Sequence, residues 1–174
     1  MHRIRRILED DDEAILLRGL VALLQDSVES GASVGFLVPL TLKTNESYWL
    51  DTLKEVREGN RVLLVAEVDD QLVGTVQLDL AKRPNGLHRA EVQKLLVNTR
   101  YRKKGLGQEL MRSVEKTACD LRRSLLVLDT LHGDSGERLY ERCGYTRAGV
   151  IPDYARLSDG SLQATVIFYK VLDC

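Results

Sequence analysis

The residues best suited to chemistry lie at the end of one apolar segment, where glycines and positive charges occur together. A strand-like stretch, Val92 to Val97, is followed closely by the basic loop Arg102-Lys103-Lys104-Gly105-Leu106-Gly107. Apolar residues at helical spacing then predict a helix from Gly105 to Leu121. The first turn of a helix has unpaired N–H groups and attracts anions, and glycine lets a ligand approach the backbone closely. The segment is therefore a candidate site for a pyrophosphate.

Two common nucleotide-binding motifs do not fit this loop. A P-loop requires lysine and serine or threonine after its last glycine, but Gln108 and Glu109 stand there. A dinucleotide-binding fingerprint requires a third glycine, and Leu110 occupies that position. The pattern that remains is Arg102-x-x-Gly105-x-Gly107 after an apolar strand.

A second segment downstream combines a predicted short helix with a Gly-Tyr pair. Gly136 to Cys143 is predicted to be a short helix that carries Leu139 and Tyr140, and Gly144-Tyr145 follows it. Together, in this order, the two segments resemble the acetyl-CoA-binding region of the GNAT superfamily of N-acetyltransferases. The resemblance covers about Arg61 to the C-terminus. It implies acetyl-CoA as co-substrate and transfer of an acetyl group to a primary amine by direct attack.

The resemblance also implies which residues meet the coenzyme. The strand is expected to offer main-chain groups to the pantetheine arm, much as a paired strand would. The predicted coenzyme-binding residues are Leu95, Leu96, Val97, Arg102, Lys103, Lys104, Gly105, Leu106, Gly107 and Gln108.

The predicted fold is an α+β, mixed-sheet architecture of the GNAT type. The sheet is expected to be mostly antiparallel, with one central parallel βαβ unit and helices on both faces. Predicted strands are Arg3–Leu8, Arg61–Val68, Leu72–Leu80, Glu91–Val97, Ser124–Asp129, a strand from Tyr145 onward and Ala164–Val171. Predicted helices begin near Ala14, at Thr44, at Gly105 and at Gly136.

Three shorter segments narrow the resemblance to the tabtoxin-resistance group of acetyltransferases. They are Gly31 to Phe36, Pro84 to Lys94 and Leu128 to Thr130. The resemblance implies an amino-acid-like compound, toxin or antibiotic as acceptor, and resistance as a role. It places Phe36, Asp129, Asp153 and Tyr154 at the substrate.

Acyl transfer requires a neutral amine, and freeing an amine with a pKa near ~10 at neutral pH costs about 4 kcal/mol. A carboxylate base is therefore useful, and Glu91 and Asp129 are the candidates, near the ends of two predicted parallel strands. Glu91 could instead pair with Arg89, and Asp129 could cap the following loop. The resemblance assigns Tyr140 to the coenzyme sulfur. Because a thiol is more acidic than a phenol, we expect Tyr140 to act mainly as a hydrogen-bond donor.

Composition narrows the remaining functions. A length of 174 residues suits one N-acetyltransferase domain over residues 1–174, and a net charge of −1 argues against nucleic-acid binding. The chain lacks an apolar run of membrane-spanning length, and its acidic start is unlike a signal peptide. The cysteines Cys119, Cys143 and Cys174 form no CxxC pair, so neither a metal site nor a disulfide framework is expected.

These features predict a cytoplasmic protein without a membrane partner, and they are compatible with a homodimer. Two alternatives to small-molecule acetylation stay open. One is an acetyltransferase for a protein or peptide amine, and the other is a non-catalytic acetyl-CoA sensor.

Overall fold

The computed structural model describes residues 2–174, which form one seven-stranded sheet. In chain order the strands are β1 (His2–Arg6), β2 (Arg61–Val68), β3 (Gln71–Leu80), β4 (Arg89–Val97), β5 (Leu125–Leu131), β6 (Thr146–Arg156) and β7 (Leu162–Val171). Their order across the sheet is β1-β2-β3-β4-β5-β7-β6. Only β4 and β5 pair in parallel, and the other neighbours are antiparallel. The predicted mixed, mostly antiparallel sheet with a central parallel unit is confirmed.

Four α-helices cover the sheet: α1 (Glu13–Glu29), α2 (Leu42–Arg57), α3 (Leu106–Asp120) and α4 (Ser135–Arg142). Asp12 and Thr41 cap the first two helices by accepting hydrogen bonds from Ile15 N and Thr44 N. The predicted boundaries of the helices lie within two residues of these ends, because the caps and the apolar periodicity can be recognised locally.

Two hydrophobic cores show that the helices divide between the two faces of the sheet. Alternate β2 residues point to opposite sides, so Val62 and Leu64 join one core and Leu63 and Val65 join the other. The first core contains the apolar stripe of α3, including Leu110 and Val114, and the second contains residues of α1 and α2. Both faces of the sheet are thus covered, as predicted.

The parallel pair is short, and this opens the sheet. Pairing of β4 with β5 begins at Arg89 with Leu125 and ends at Glu91 with Val127, although both strands continue beyond that point. The main chain of β4 after Glu91 therefore has no strand beside it on the β5 side. A V-shaped gap opens between the two strands toward the N-terminus of α3.

The structure corrects one prediction from the cysteines, since Cys119 and Cys174 form a disulfide. Spacing could not show this, because the two residues are 55 positions apart. The sheet brings them together: Val171 pairs with Leu125, and Leu172 N donates to Ser124 O at 2.8 Å. The end of the chain consequently runs back beside the end of α3. Cys143 is free.

Candidate active site

The gap between β4 and β5 is the floor of a cleft of about 880 Å³. One side is formed by the end of β4, the start of α3 and α4. The other side is formed by Lys94 on β4, by the loop after α1, by residues of β6 and by Asp129 on β5. We call these the coenzyme side and the acceptor side. The cleft therefore begins where the sheet stops being continuous.

The start of α3 has the features of an anion site. Gly105 precedes the helix with φ of 88°, a conformation that favours glycine, and it supplies no side-chain cap. Glu109 N donates to Gly105 O at 3.1 Å, which leaves the amides of Leu106, Gly107 and Gln108 without partners inside the helix. Unpaired amides at a helix N-terminus suit a phosphate group.

At Gly107 a Cβ would make ordinary van der Waals contacts, while a larger side chain would fill space beside the helix start. A Cβ there would lie 3.4 Å from Leu139 Cδ2 and 3.9 Å from Val97 Cγ2. Larger side chains would extend into the narrow space between α3, α4 and β4. Gly105 and Gly107 line the cleft together with Gln108.

The basic residues of the loop do not all face the cleft. Arg102 lines it, yet its Nε donates to Val97 O at 2.9 Å and its Nη2 donates to Ser30 Oγ at 2.9 Å. Arg102 therefore ties β4 to the end of α1 as well as contributing charge. Lys103 lines the cleft, whereas Lys104 lies over the Tyr101 ring at 5.4 Å and outside the cleft lining. The Leu106 side chain is buried in the core, so only its main chain is available.

Three predicted main-chain contacts lie along the unpaired part of β4. Leu95, Leu96 and Val97 line the cleft, and the Leu96 side chain packs into the second core. A β-bulge precedes them, where the pairing of β3 with β4 shifts and Lys94 has φ of 49°. The bulge turns the strand edge into the cleft, where it can pair with an extended ligand.

The two predicted carboxylates reach the cleft from neighbouring strands. Glu91 is exposed and accepts from Gln93 Nε2 at 2.9 Å, while Gln93 Oε1 accepts from Arg61 Nη1 at 2.8 Å. Asp129 accepts from Thr165 Oγ1 at 2.8 Å. Each carboxylate thus has one side-chain donor, which orients it and leaves capacity for a substrate.

Tyr140 is a residue of α4 and lines the same cleft as these two carboxylates. Gly136 allows α4 to approach β5, since a Cβ there would stand 2.4 Å from Thr130 Oγ1. The Tyr140 side chain is largely buried but lines the cleft, and it packs against Tyr145 and Phe168. Burial, and next the negative charge of Asp129, raise the pKa of the Tyr140 phenol far above its usual range. The phenol therefore remains protonated and can donate a hydrogen bond.

The acceptor side is assembled from distant parts of the chain. Phe36 and Tyr154, which were predicted from the sequence to lie at the substrate, both line this side. Asp153 is exposed on β6 and outside the cleft lining, with φ of 53°. The Phe36 ring packs edge-on against Tyr48 of α2, with 5.1 Å between centroids.

Sequence reasoning did not single out Lys94 or Tyr48. Lys94 Nζ lies 5.8 Å from the centroid of Phe36 and 5.5 Å from that of Tyr48. No local pattern could have indicated this, because the bulge that aims Lys94 depends on the pairing of β3 with β4.

Residues 59–147 match the family model described as an acetyltransferase (GNAT) domain, which is about half of the chain. The chain belongs to the GNAT acetyltransferase family. It is accordingly an acetyl-CoA-dependent N-acetyltransferase, and the predicted superfamily, enzyme class and co-substrate are confirmed.

Solved structures share the fold along almost the whole chain. A ribosomal-protein-alanine N-acetyltransferase from Brucella melitensis is 23% identical with a TM-score of 0.79, covering 98% of this chain and 99% of that one. A protein provisionally assigned as a phosphinothricin N-acetyltransferase is 21% identical with a TM-score of 0.78, covering 100% of both chains. A provisionally assigned acetyltransferase from Salmonella typhimurium, solved with its cofactor acetyl-CoA, is 16% identical with a TM-score of 0.77, covering 99% and 94%. At these identities the likeness concerns the fold.

Within residues 2–174, no cluster of histidine, cysteine and acidic residues has the composition of a metal site. In the same part of the chain, no helix combines the length and the apolar character needed to cross a bilayer.

Proposed function

We propose that this GNAT enzyme transfers the acetyl group of acetyl-CoA to a primary amine of a small, amino-acid-like compound. The observation that carries the proposal is the convergence of Glu91, Asp129 and Tyr140 in the cleft that also contains the start of α3. A base, a second carboxylate and a buried proton donor are the groups that direct attack of an amine on a thioester requires.

The size and walls of the cleft support a small acceptor. Loop residues 31–37 and Tyr154 contribute to the walls of the acceptor side. A cavity of about 880 Å³ falls within the usual range for small-molecule sites, and the coenzyme arm must share it. The similarity of three segments to the tabtoxin-resistance group supports the same class of acceptor.

Each group in the cleft has a distinct task. Acetyl-CoA supplies an activated thioester when bound, and the amides at the start of α3 hold its pyrophosphate. Glu91 takes the proton from the acceptor ammonium, so that the amine can attack directly. Asp129, oriented by Thr165, holds the acceptor amine. Tyr140 donates a hydrogen bond to the sulfur as negative charge develops there.

This assignment uses the electrostatics of the site. For an amine with a pKa of ~10, forming the neutral, reactive amine at neutral pH costs about 4 kcal/mol. A carboxylate that accepts the proton assists this step. The thiol leaving group is a weaker base than the phenolate, so complete transfer of the Tyr140 proton is unnecessary. A donor that remains neutral, as burial keeps Tyr140, is suited to this role.

A screen for thiol release tests the proposal directly. Purified enzyme and acetyl-CoA would be incubated with amino acids, β-lactam analogues, polyamines and short peptides, and intact mass would identify the acetylated product. We expect turnover with amino-acid-like amines. Turnover with peptides alone would replace the proposal by peptide acetylation, and binding of acetyl-CoA without any turnover would indicate a sensor.

The sequence also predicts the domain extent, the location, the oligomeric state and the biological role of the protein. We propose that residues 1–174 act as a single N-acetyltransferase domain, which agrees with the two cores on one sheet. A cytoplasmic location, a homodimer and a role in resistance stay predictions.

A further inference from the structure

Among residues 2–174, the Lys94 ammonium in the cleft forms no salt bridge and no hydrogen bond with the protein. Lys94 lines the acceptor side, and its ammonium lies over the rings of Phe36 and Tyr48 at 5.8 Å and 5.5 Å. A lysine that is largely withdrawn from water without a counter-ion is unusual, because desolvation of a charge is costly.

The neighbouring polar groups are already paired with one another. Arg61 donates to Gln77, Gln93 and Asp79, and Tyr48 exchanges hydrogen bonds with Gln77. Within residues 2–174, none of these hydrogen bonds involves the Lys94 ammonium, and Lys94 lines the cleft. The charge of Lys94 is therefore available to a ligand.

The surroundings of Lys94 shift the pKa of its ammonium, and the net shift is downward. Desolvation by burial lowers the pKa of the Lys94 ammonium, and the positive charge of Arg61 lowers it further, whereas Asp129 and Glu91 raise it. The two carboxylates act through their charge, without a hydrogen bond or salt bridge to Nζ. An added anion beside Nζ would restore the stability of the charged form.

The backbone at Lys94 adds a second observation. Lys94 has φ of 49°, in the left-handed region where a residue other than glycine costs ~1–2 kcal/mol. Glycine or asparagine would relieve this cost at the bulge, yet a long cationic side chain stands there. Backbone strain retained at a cleft residue is typical of functional positions.

Gly35, in the loop between α1 and α2, lies next to the Lys94 ammonium. It has φ of 85°, and a Cβ at Gly35 would lie 3.6 Å from Lys94 Nζ. The loop between α1 and α2 thus passes close to the ammonium at Gly35 without a side chain there, while Phe36 of the same loop packs beside it. A planar group the size of a carboxylate can approach from the cleft.

We propose that Lys94 binds the carboxylate of the acceptor, so that the enzyme selects amines that carry a carboxylate on the same small molecule. This inference rests on the proposed function. It assigns the acceptor ammonium to the acidic end of the pocket, Glu91 and Asp129, and the acceptor carboxylate to the cationic end, with Phe36 and Tyr48 beside it. An α-amino acid presents both groups within a few bonds of each other. Lys94 is thus a specificity-determining residue and takes no part in the proton transfers.

The test compares pairs of substrates that differ only in this charge. L-α-amino acids and their primary amides would be assayed by thiol release with the wild type, Lys94→Met and Lys94→Gln. We expect the wild type to favour the acids by about 10- to 100-fold in kcat/KM, the range of a hydrogen bond to a charged group. Both variants should lose this preference through a higher KM for the acids, with their activity on the amides retained.

Two controls sharpen the result. Lys54→Met removes an exposed lysine of α2 that lies outside the cleft, and it should keep the preference for acids. Lys94→Arg should keep part of the preference, because it conserves the charge. Thermal unfolding would establish that each variant is folded.

The outcomes separate the two proposals. If the wild type acetylates acids and amides equally, or if Lys94→Met and Lys94→Gln retain the preference, the assignment of Lys94 is wrong while small-molecule acetylation stands. A rise in the KM for acetyl-CoA that equals the rise for the acids would assign Lys94 to the coenzyme and overturn the inference. If no small amine is acetylated, the proposed function fails and this inference fails with it.

Discussion

The two sides of the cleft are built in different ways. The coenzyme side comes mainly from one segment, residues 95–108, with α4 beside it, and we propose that it presents mainly backbone groups to acetyl-CoA. The acceptor side combines Phe36, Tyr48, Lys94, Asp129 and Tyr154, which are scattered over most of the chain and present side chains. Backbone binding requires glycines at defined positions, which leave a recognisable motif. Side-chain binding requires only that residues from distant parts of the chain meet, so it leaves no recognisable motif in the sequence.

This difference separates two kinds of specificity. The coenzyme is shared by a whole family, and we propose that a local strand–loop–helix unit holds it in this protein. The acceptor must be distinguished from other amines, and charged and aromatic groups at fixed positions accomplish this. Changes on the coenzyme side should therefore affect every acceptor equally, while changes on the acceptor side should depend on the compound.

The largest effect is expected from Gly107→Val. The new side chain would meet Leu139 and Val97 and fill the space beside the α3 amides, so stabilisation by acetyl-CoA should be abolished. For the wild type, acetyl-CoA at about 100 times its Kd should stabilise the fold by about 2.7 kcal/mol, measured as a rise in Tm. Gly149→Val, where a Cβ meets no atom within 4 Å, is the matched control. An undiminished rise in a folded Gly107→Val protein would remove this site from the coenzyme.

Glu91→Gln should have the next largest effect. Loss of a general base lowers kcat by about 10²- to 10⁴-fold at neutral pH. The difference in kcat between the wild type and Glu91→Gln should become smaller as the pH approaches about 9, because more of the amine is then already neutral. Measurement of kcat from neutral to alkaline pH checks this. A Glu91→Gln profile that follows the wild type at equal amplitude would make Glu91 a bystander.

Tyr140→Phe should lower kcat more modestly, by about 10- to 100-fold. Because the pKa of Tyr140 is raised, the wild type should show no loss of activity from its ionisation as the pH rises to about 10. Steady-state rates of the two proteins over this range provide the measurement. Complete inactivity of a folded Tyr140→Phe protein would mean that proton donation to the sulfur is required.

Asp129→Asn should act mainly on KM, with a rise of about 10-fold for the acceptor and little change for acetyl-CoA. The amide can still accept from Thr165 but carries no charge for the acceptor ammonium. Separate titrations of the two substrates would distinguish this from a loss of base. A fall in kcat that recovers at high pH would transfer the role of base from Glu91 to Asp129.

The smallest effect concerns stability. Lys94→Met removes a desolvated cation and should raise Tm, by a few degrees at most for ~1 kcal/mol. Since the pKa of Lys94 is lowered in the folded state, the unfolded chain binds the proton more tightly. The gain should therefore be largest at neutral pH and fade as the pH rises through about 10.5, the unfolded value. Melting curves at several pH values test it, and an unchanged or lower Tm at neutral pH would contradict the cost assigned to this charge.

The sequence by itself determined the elements and the coenzyme side. The spans of β2 and α3 and the order of strand, glycine loop and helix follow from apolar periodicity and from the conformations that glycine allows, which are local properties. Glu91 and Asp129 could be selected from their places on the two predicted strands, and Tyr140 from the resemblance of its segment to the GNAT superfamily.

Only the tertiary structure decided the remaining features. Whether β4 and β5 separate after Glu91, whether the bulge aims Lys94 at Phe36 and Tyr48, and whether Asp153 leaves the cleft all depend on the pairing between strands. The same holds for the disulfide of Cys119 with Cys174, which the pairing of β5 with β7 brings together. Such contacts join residues far apart in the chain, and the free energy that selects them belongs to the packed sheet rather than to any one segment.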